Sequence, residues 1–325
     1  MNVLITSASR KVALVRAFKD AMRRVLPEGG VIAVDTNAYA PALYEADAGY
    51  LVPRSDIPDF LSYLVEFCLK RDIKLVIPTR DEELLFFAEH SQVFLQHGIR
   101  VMIGSSEVIR RCLDKESFLR FCSRHGFAFP KLWLTNDLGN PAIYPVFLRP
   151  RSGKGGRGTK KIDSKAELDA LIDDLKEVLI QEYIDAPEYT VDLFADFRGK
   201  AISAVPRKRL LVWGGESFVT VTDNNPGIIR ETVRLAEAIG LVGHNTIQCF
   251  LRDGKPLFIE INPRFGGAFH LSIRAGADSP GYLLRMILGE ELEPRLGQFT
   301  DHLAMSRYVE DTFLLPNDLI KFSGP

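Results

Sequence analysis

Short apolar runs alternate with segments of helical period along the first 110 residues. The runs are rich in Val and Ile and lie at 2–5, 31–34, 74–77 and 99–103, whereas helical spacing covers about 10–25, 58–71 and 82–96. This repeated order predicts a parallel sheet with helices on both faces. Ligands of such sheets collect where strands end and helices begin, which indicates the loops 6–10, 35–37 and 78–83.

The pattern changes after residue 112. A helix near 113–126 ends at Gly126, and Ser164 with Glu167 three positions later predicts the capped start of a helix over 164–176. Strands near 131–134 and 178–184 complete a small α+β unit. Beyond it, strands separated by tight turns favour antiparallel pairing, with helices near 226–239 and 280–288. We therefore predict four parts, 1–112, 113–185, 186–310 and a C-terminal tail, 311–325.

Composition narrows the function only slightly. Lys plus Arg number 41 and Asp plus Glu number 42, so neither a nucleic acid nor an anionic membrane is an expected partner. The apolar runs are too short to span a bilayer, and the first residues do not resemble a signal peptide, which predicts a cytoplasmic protein. The four cysteines form no Cys-x-x-Cys pair and are expected to be core residues.

A basic glycine-rich stretch, FLRPRSGKGGRG, occupies residues 147–158. Glycines leave backbone N–H groups open to phosphate oxygens, while Lys154 and Arg157 add positive charge and Arg149 points a guanidinium from the preceding strand. The spacing is not that of a Walker loop, because Lys is not followed by Ser or Thr and no helix follows at once. By itself, the stretch also fits a solvated turn between two strands.

A second segment, NTIQCFLRDGKPLFIEINPRFGG at 245–267, predicts a β-hairpin. Glu260 and Asn262 are two residues apart and share a face of the second strand, and Gln248 lies on the first. Oxygen ligands of this kind suit Mg²⁺, which takes few protein ligands beside phosphate and water. A carboxylate between Ile259 and Ile261 is costly to bury without a cation or donors.

These segments, together with LIQEYIDAPEYTVD between them, resemble the ATP-grasp superfamily, and most of all its carbamoyl-phosphate-synthase-like branch. The resemblance covers nearly the whole chain. It implies an α/β and α+β fold, with a Rossmann-like pre-ATP-grasp domain followed by a two-lobed ATP-grasp module. It also implies ATP and one or two Mg²⁺ ions, with Mn²⁺ as an alternative metal.

The resemblance further implies roles for individual residues. The metal ligands would be Gln248, Glu260 and Asn262. The phosphate-stabilising residues would be Arg264, Lys154 and Arg157. Residues 151–158 match a lid over the triphosphate, and the nucleotide contacts would be Lys115, Arg149, Ser152, Gly153, Gly155, Gly156, the hinge residues Glu182, Tyr183 and Ile184, and Glu188 at the ribose.

One position departs from many relatives. Gln248 stands where they carry an acid, so the site is less anionic. Either the phosphates supply most of the negative charge, or only one metal binds tightly.

The resemblance implies a ligase in which a carboxylate becomes an acyl phosphate. An amine or a thiol then takes the acyl group and displaces the phosphate. For the small-molecule carboxylate we predict that Arg207 or Arg209 acts with Arg274, although a solvated charge run explains the first two equally well. The loops 6–10 and 79–83 are candidates for the second substrate. A homodimer is one assembly that we consider.

Two other functions stay open. A nucleotide-binding regulatory protein would keep the fold without turnover. A bicarbonate- or carbamate-phosphorylating enzyme would use the same site, but 325 residues hold one ATP-grasp unit where the synthase large subunit carries two.

Overall fold

The computed structural model describes residues 1–133, 143–153, 156, 158–171 and 177–322. Within them the chain forms three sheets of five, six and four strands. In the same ranges, none of the helices combines the length and the apolar character needed to cross a bilayer.

The first sheet is parallel, with the strand order β3-β2-β1-β4-β5. Alternate residues of β1 enter different cores, Val3 and Ile5 on one face and Leu4 on the other, because the sheet is covered on both sides. The strands are β1 (Asn2–Ile5), β2 (Gly30–Asp35), β3 (Ala48–Leu51), β4 (Ile73–Ile77) and β5 (Arg100–Val101), and the helices are α1 (Val12–Val25), α2 (Pro41–Glu45), α3 (Phe60–Lys70), α4 (Asp81–Gln96) and α5 (Ser106–Leu113).

The strand order reverses between β1 and β4, so the loops that follow these strands lie side by side. The half-buried Glu83 carboxylate joins them, since it accepts from Thr79 N at 2.6 Å and from Ser7 Oγ at 2.8 Å. Burial raises the pKa of Glu83 against these donors. Two of the three predicted ligand loops therefore meet at one edge of the sheet.

The small sheet is antiparallel, in the order β6-β9-β7-β8. Its core is modest and includes Val146, Leu148 and Ile180. The preceding helix, α6, packs instead with the large sheet, where Phe118 and Leu119 are fully buried. The elements are α6 (Lys115–Arg124), β6 (Leu132–Trp133), β7 (Val146–Pro150), β8 (Lys160–Ile162), α7 (Lys165–Asp169) and β9 (Val178–Glu182).

The large sheet is antiparallel, in the order β14-β13-β10-β11-β12-β15. On one face it packs against the first domain, with the rings of Phe18 and Phe265 at 5.8 Å. The elements are β10 (Glu188–Ala195), β11 (Ala201–Trp213), β12 (Glu216–Thr222), α8 (Pro226–Ile239), β13 (Gly243–Arg252), β14 (Lys255–Asn262), α9 (His270–Arg274), α10 (Ser279–Ile287) and β15 (Ala304–Ser306).

The predicted fold class is confirmed, since a doubly covered parallel sheet precedes two antiparallel sheets. The cysteines Cys68, Cys112, Cys122 and Cys249 are free and buried, and burial raises the pKa of each thiol to about 12. The tail returns to the first domain, where Ile320 N donates to the Tyr44 hydroxyl at 3.3 Å.

Candidate active site

Three oxygen-bearing side chains meet on the hairpin of β13 and β14. Gln248 and Glu260 are direct partners in the strand register, and Asn262 lies two residues further along. Asn262 Nδ2 donates to Gln248 Oε1 at 3.4 Å and to Glu260 Oε1 at 3.3 Å. The structure therefore brings together the three residues predicted as metal ligands.

Two cations face Glu260 from the small-domain side. Arg149 Nη2 donates to Glu260 Oε2 at 2.5 Å, and Lys115 Nζ lies 3.9 Å from the same oxygen. Both cations are buried, and burial lowers the pKa of each, while Glu260 opposes the shift. One carboxylate thus faces two positive charges, and the net positive charge that results suits the binding of phosphate oxygens.

The donor set fits Mg²⁺ bound together with phosphate. The Asn262 N–H group points between the oxygens of Gln248 and Glu260, where a small cation would share both. To act as a third ligand, Asn262 would have to turn its amide and present Oδ1, which accepts from Arg264 Nη2 at 3.4 Å. Across the described ranges, no three His, Cys, Asp or Glu side chains are grouped as metal ligands. Because one carboxylate must also neutralise two cations, we expect the metal to need phosphate oxygens as partners.

Arg151 anchors the base of the predicted lid, residues 151–158. Its Nε and Nη2 donate to the Asp114 carboxylate at 2.9 and 2.6 Å, and Asp114 is the N-cap of α6. Lys115, the first residue of that helix, donates from Nζ to Gly153 O at 2.7 Å. The lid base and one site cation are therefore held together. Three predicted lid residues, Lys154, Gly155 and Arg157, lie outside the described residues.

A cleft of about 260 Å³ separates the small sheet from the large one. Ile184 is buried at its wall, and Tyr183 keeps 36% of its surface exposed. The Glu182 carboxylate turns to Arg252 Nη1 at 2.5 Å and to Lys131 N at 3.3 Å. The predicted nucleotide residues that line this cleft are Lys115, Arg149, Ser152, Gly153, Gly156, Glu182, Tyr183, Ile184 and Glu188.

Glu188 begins β10 at the edge of this cleft. Its Oε1 accepts from Gln248 Nε2 at 2.9 Å and from Arg209 Nη1. Arg209 also donates to Gly215 O at 2.8 Å and lines the cleft. The predicted ribose acid and the first predicted metal ligand are thus in direct contact.

Arg264, predicted to steady the transferred phosphate, is held by the first domain. Its Nε and Nη2 donate to the Asp81 carboxylate at 2.8 and 3.1 Å, and Nη2 also donates to Asn262 Oδ1 at 3.4 Å. Asp81 begins α4, on a loop that the sequence indicated as a ligand edge. The parallel-sheet domain therefore reaches the edge of the candidate metal site.

The three predicted substrate arginines have different surroundings. Arg207 is buried and donates to Asp192 from Nε at 2.9 Å and to Ser217 Oγ at 3.3 Å. Arg209 lies in the nucleotide cleft, whereas Arg274 is exposed at the end of α9. Their role in binding a substrate carboxylate stays a prediction, and Arg274 is the accessible one of the three.

Sequence reasoning did not anticipate the Asp192–Arg207 pair or the Arg209–Glu188 pair. A signal existed in the period of two: Glu188 and Asp192 share a face of β10, and Arg207 and Arg209 share a face of β11. Because β10 and β11 are neighbours, alternate acids on one meet alternate arginines on the other. The Asp81 contact crosses domains and had no such signal.

Two family models match the chain. One, described as "PylC-like, N-terminal domain", matches residues 3–102, and the other, described as "ATP-grasp in the biosynthetic pathway with Ter operon", matches residues 174–308. The second includes every predicted metal ligand. Residues 174–308 belong to the ATP-grasp family.

Curated relatives also match the chain. The chain is 28% identical over 239 residues to the carbamoyl phosphate synthase large chain of Hyperthermus butylicus. This match covers 64% of the chain and 22% of the relative. The chain is 27% identical over 201 residues to the corresponding Campylobacter jejuni chain, covering 55% and 18%. The chain thus spans about a fifth of the length of these relatives.

Solved structures show the same fold at low identity. The biotin carboxylase domain of Hydrogenobacter thermophilus 2-oxoglutarate carboxylase, in complex with MgADP, ADP and bicarbonate, has a TM-score of 0.70 at 18% identity, covering 93% of this chain and 73% of that one. N5-carboxyaminoimidazole ribonucleotide synthetase from Thermotoga maritima gives 0.65 at 18%, covering 90% and 77%. L-amino acid ligase from Bacillus licheniformis gives 0.67 at 16%, covering 88% and 74%.

Proposed function

We propose that this ATP-grasp protein is an ADP-forming ligase that joins a small-molecule carboxylate to an amine through an acyl phosphate. The carrying observation is that Glu260, Gln248 and Asn262 converge on one point while Arg149 and Lys115 face the same carboxylate. This arrangement supplies a metal position and a phosphate position side by side. Phosphoryl transfer needs positioning and charge compensation more than covalent chemistry from side chains.

The first step would join a substrate carboxylate oxygen to the γ-phosphorus of ATP, with ADP leaving. Lys115 and Arg149 would hold phosphate oxygens, and Arg264, fixed by Asp81, would lie near the transferred group. Mg²⁺, held by oxygens of Gln248, Glu260 and Asn262, would neutralise charge on the phosphate oxygens. In the second step the amine nitrogen attacks the acyl carbon and inorganic phosphate leaves.

An acyl phosphate needs protection from water. The lid base is tied to α6 through Arg151 and Asp114, so closure of residues 151–158 would act on the same helix that begins with Lys115. Lys154 and Arg157 are proposed to meet the phosphates from the lid. The proposal also includes four finer points: a thiol as the acceptor, Mn²⁺ as the metal, a second metal ion and a homodimer.

Bicarbonate phosphorylation is a second candidate function. The relatives that match in sequence are carbamoyl phosphate synthase large chains, and one structural neighbour holds bicarbonate beside MgADP. The same cations and metal ligands would serve a bicarbonate oxygen as the nucleophile. The two functions differ only in the acid that is phosphorylated.

A test is ADP release from ATP and Mg²⁺ across panels of amino acids, other carboxylates and amines, with bicarbonate as a separate arm. Release that needs one carboxylate and one amine, with equimolar ADP and coupled product, supports the ligase. Bicarbonate-dependent release supports the second candidate. Tight ATP binding without release in any arm would contradict both and favour a regulatory nucleotide-binding protein.

A further inference from the structure

We propose that Glu188 is a positioning residue for the candidate metal site, because its carboxylate decides which atom of the Gln248 amide faces that site. The inference rests on the proposed function, in which Gln248 is a metal ligand. Its direct observation is the hydrogen bond from Gln248 Nε2 to Glu188 Oε1 at 2.9 Å. The ribose role implied by resemblance does not require this bond.

The chemistry of the two groups gives the contact one direction. An ionised carboxylate only accepts hydrogen bonds, whereas a primary amide has one donor end and one acceptor end of nearly equal size. Gln248 must therefore turn its amino group toward Glu188. Its oxygen then faces the opposite way, where Asn262 Nδ2 approaches it at 3.4 Å and Glu260 is its register partner.

Glu188 is itself held in place. Arg209 donates from Nη1 to the same Oε1 and from Nη2 to Gly215 O at 2.8 Å, and its side chain is only 6% exposed. A buried guanidinium with two fixed acceptors keeps the carboxylate from turning away. Arg209 thus fixes the orientation of the Glu188 carboxylate, and Glu188 fixes that of the Gln248 amide.

This orientation matters because the ligand set has little negative charge. An acid in the place of Gln248 would present an oxygen in either rotamer, but a flipped amide would present N–H groups to a cation. The carboxylate of Glu260 already faces Arg149 and Lys115. Loss of the Gln248 oxygen would leave Glu260 beside Asn262, whose own oxygen accepts from Arg264 Nη2 at 3.4 Å, so we expect metal binding to depend on Glu188.

The experiment measures binding of ADP by calorimetry with Mg²⁺ and with EDTA, and it takes the ratio of the two Kd values. In wild-type protein the metal should tighten ADP. Glu188→Gln should lower this metal effect at least 5-fold, because a glutamine there can either donate or accept. Any lost ribose contact weakens both Kd values and cancels in the ratio. Glu231→Gln, which removes an acid paired with Arg234 on α8 outside the cleft, should keep the wild-type ratio.

A reciprocal exchange completes the test. In Glu188→Gln/Gln248→Glu, the residue at 188 can accept from Arg209 and donate to the new carboxylate at 248, so the metal effect should return to the wild-type value or exceed it. The carboxylate at 248 presents an oxygen in either rotamer, so a restored metal effect indicates that the missing Gln248 oxygen caused the loss, and the double variant can be measured even if Glu188→Gln alone fails to fold.

The outcomes separate the two proposals. A wild-type metal effect that persists in Glu188→Gln, or one that stays lost in the exchanged pair, overturns the positioning role alone. A wild-type protein whose ADP binding ignores Mg²⁺ overturns the proposed function and the positioning role together.

Discussion

Two arginine–carboxylate pairs whose acids lie on the large sheet differ in how far they are exposed to solvent. In the Arg149–Glu260 pair the acid keeps 21% of its side chain exposed and a second cation, Lys115, stands beside it. In the Arg207–Asp192 pair the side chains are 3% and 0% exposed. Asp192 also accepts from Ser272 Oγ at 2.5 Å.

The difference shows which pair can change partners. The Asp192 pair is balanced in charge and lies in the core, where burial opposes ionisation but Arg207 and His244 outweigh it and lower the pKa of the carboxyl. The Glu260 pair has excess positive charge and opens onto a cleft. We therefore propose that the Arg207–Asp192 pair stabilises the fold and that the Arg149–Glu260 pair takes part in ligand binding. The following predictions test that proposal.

The largest effect is expected for Glu260→Gln. This change removes the one carboxylate among the candidate metal ligands, so ADP formation should fall about 10³-fold or more, equivalent to roughly 4 kcal/mol in the barrier. The free energy of unfolding should fall by less than in Asp192→Asn, because Glu260 is partly exposed at the cleft even though Arg149 and Lys115 lose a partner. Steady-state kinetics and urea unfolding give the two values. Turnover near the wild-type rate would contradict this proposal.

Asp192→Asn should show the opposite balance. Removing one partner of a buried pair leaves the other charge uncompensated, and we expect a loss of about 3–5 kcal/mol in the free energy of unfolding. Urea titration of this variant beside Glu260→Gln provides the comparison. Equal stability losses in the two variants would show that the pairs do not differ as described.

A smaller effect is expected at His270, which lies near the Arg207–Asp192 pair. Burial lowers the pKa of His270 to about 4, and the positive charge of Arg307 also lowers it. The unfolded chain then binds more protons than the folded one between pH 6.5 and 4. The stability that the neutral His270 contributes is therefore fully present above about pH 6.5 and is lost as the pH falls toward 4.

The measurement is urea unfolding of His270→Gln and wild type at pH 7.5 and 5. The variant should lose less stability on acidification, by on the order of 1–2 kcal/mol. Identical pH dependence in the two proteins would contradict the buried, neutral histidine.

The parallel sheet was predictable because its strands are short apolar runs. The runs at 2–5, 31–34 and 74–77 match β1, β2 and β4 within a residue or two, whereas β3 (Ala48–Leu51) was missed because AGYL has little apolar signal. The helix predicted over 226–239 has those bounds in the structure. Local periodicity is enough for elements of this kind.

The candidate site was predictable only in part. Glu260 and Asn262 share a face by spacing alone, and the turn between β13 and β14 brings Gln248 opposite. The roles of Arg207 and Arg209 could not be separated from the sequence, because both lie on the same face of one strand. Their partners, Asp192 and Glu188, come from the neighbouring strand and differ in burial.

The sequence by itself determined most of the order of strands and helices, the place of the basic glycine-rich stretch, and the shared face of Glu260 and Asn262 with Gln248 opposite, since spacing along one strand or one hairpin decides these features. Only the tertiary structure decided that Asp81 reaches Arg264 and that Arg149 and Lys115 meet Glu260. These contacts join residues separated by more than a hundred positions, and charge and hydropathy along the chain carry no information on which distant partner a side chain will meet.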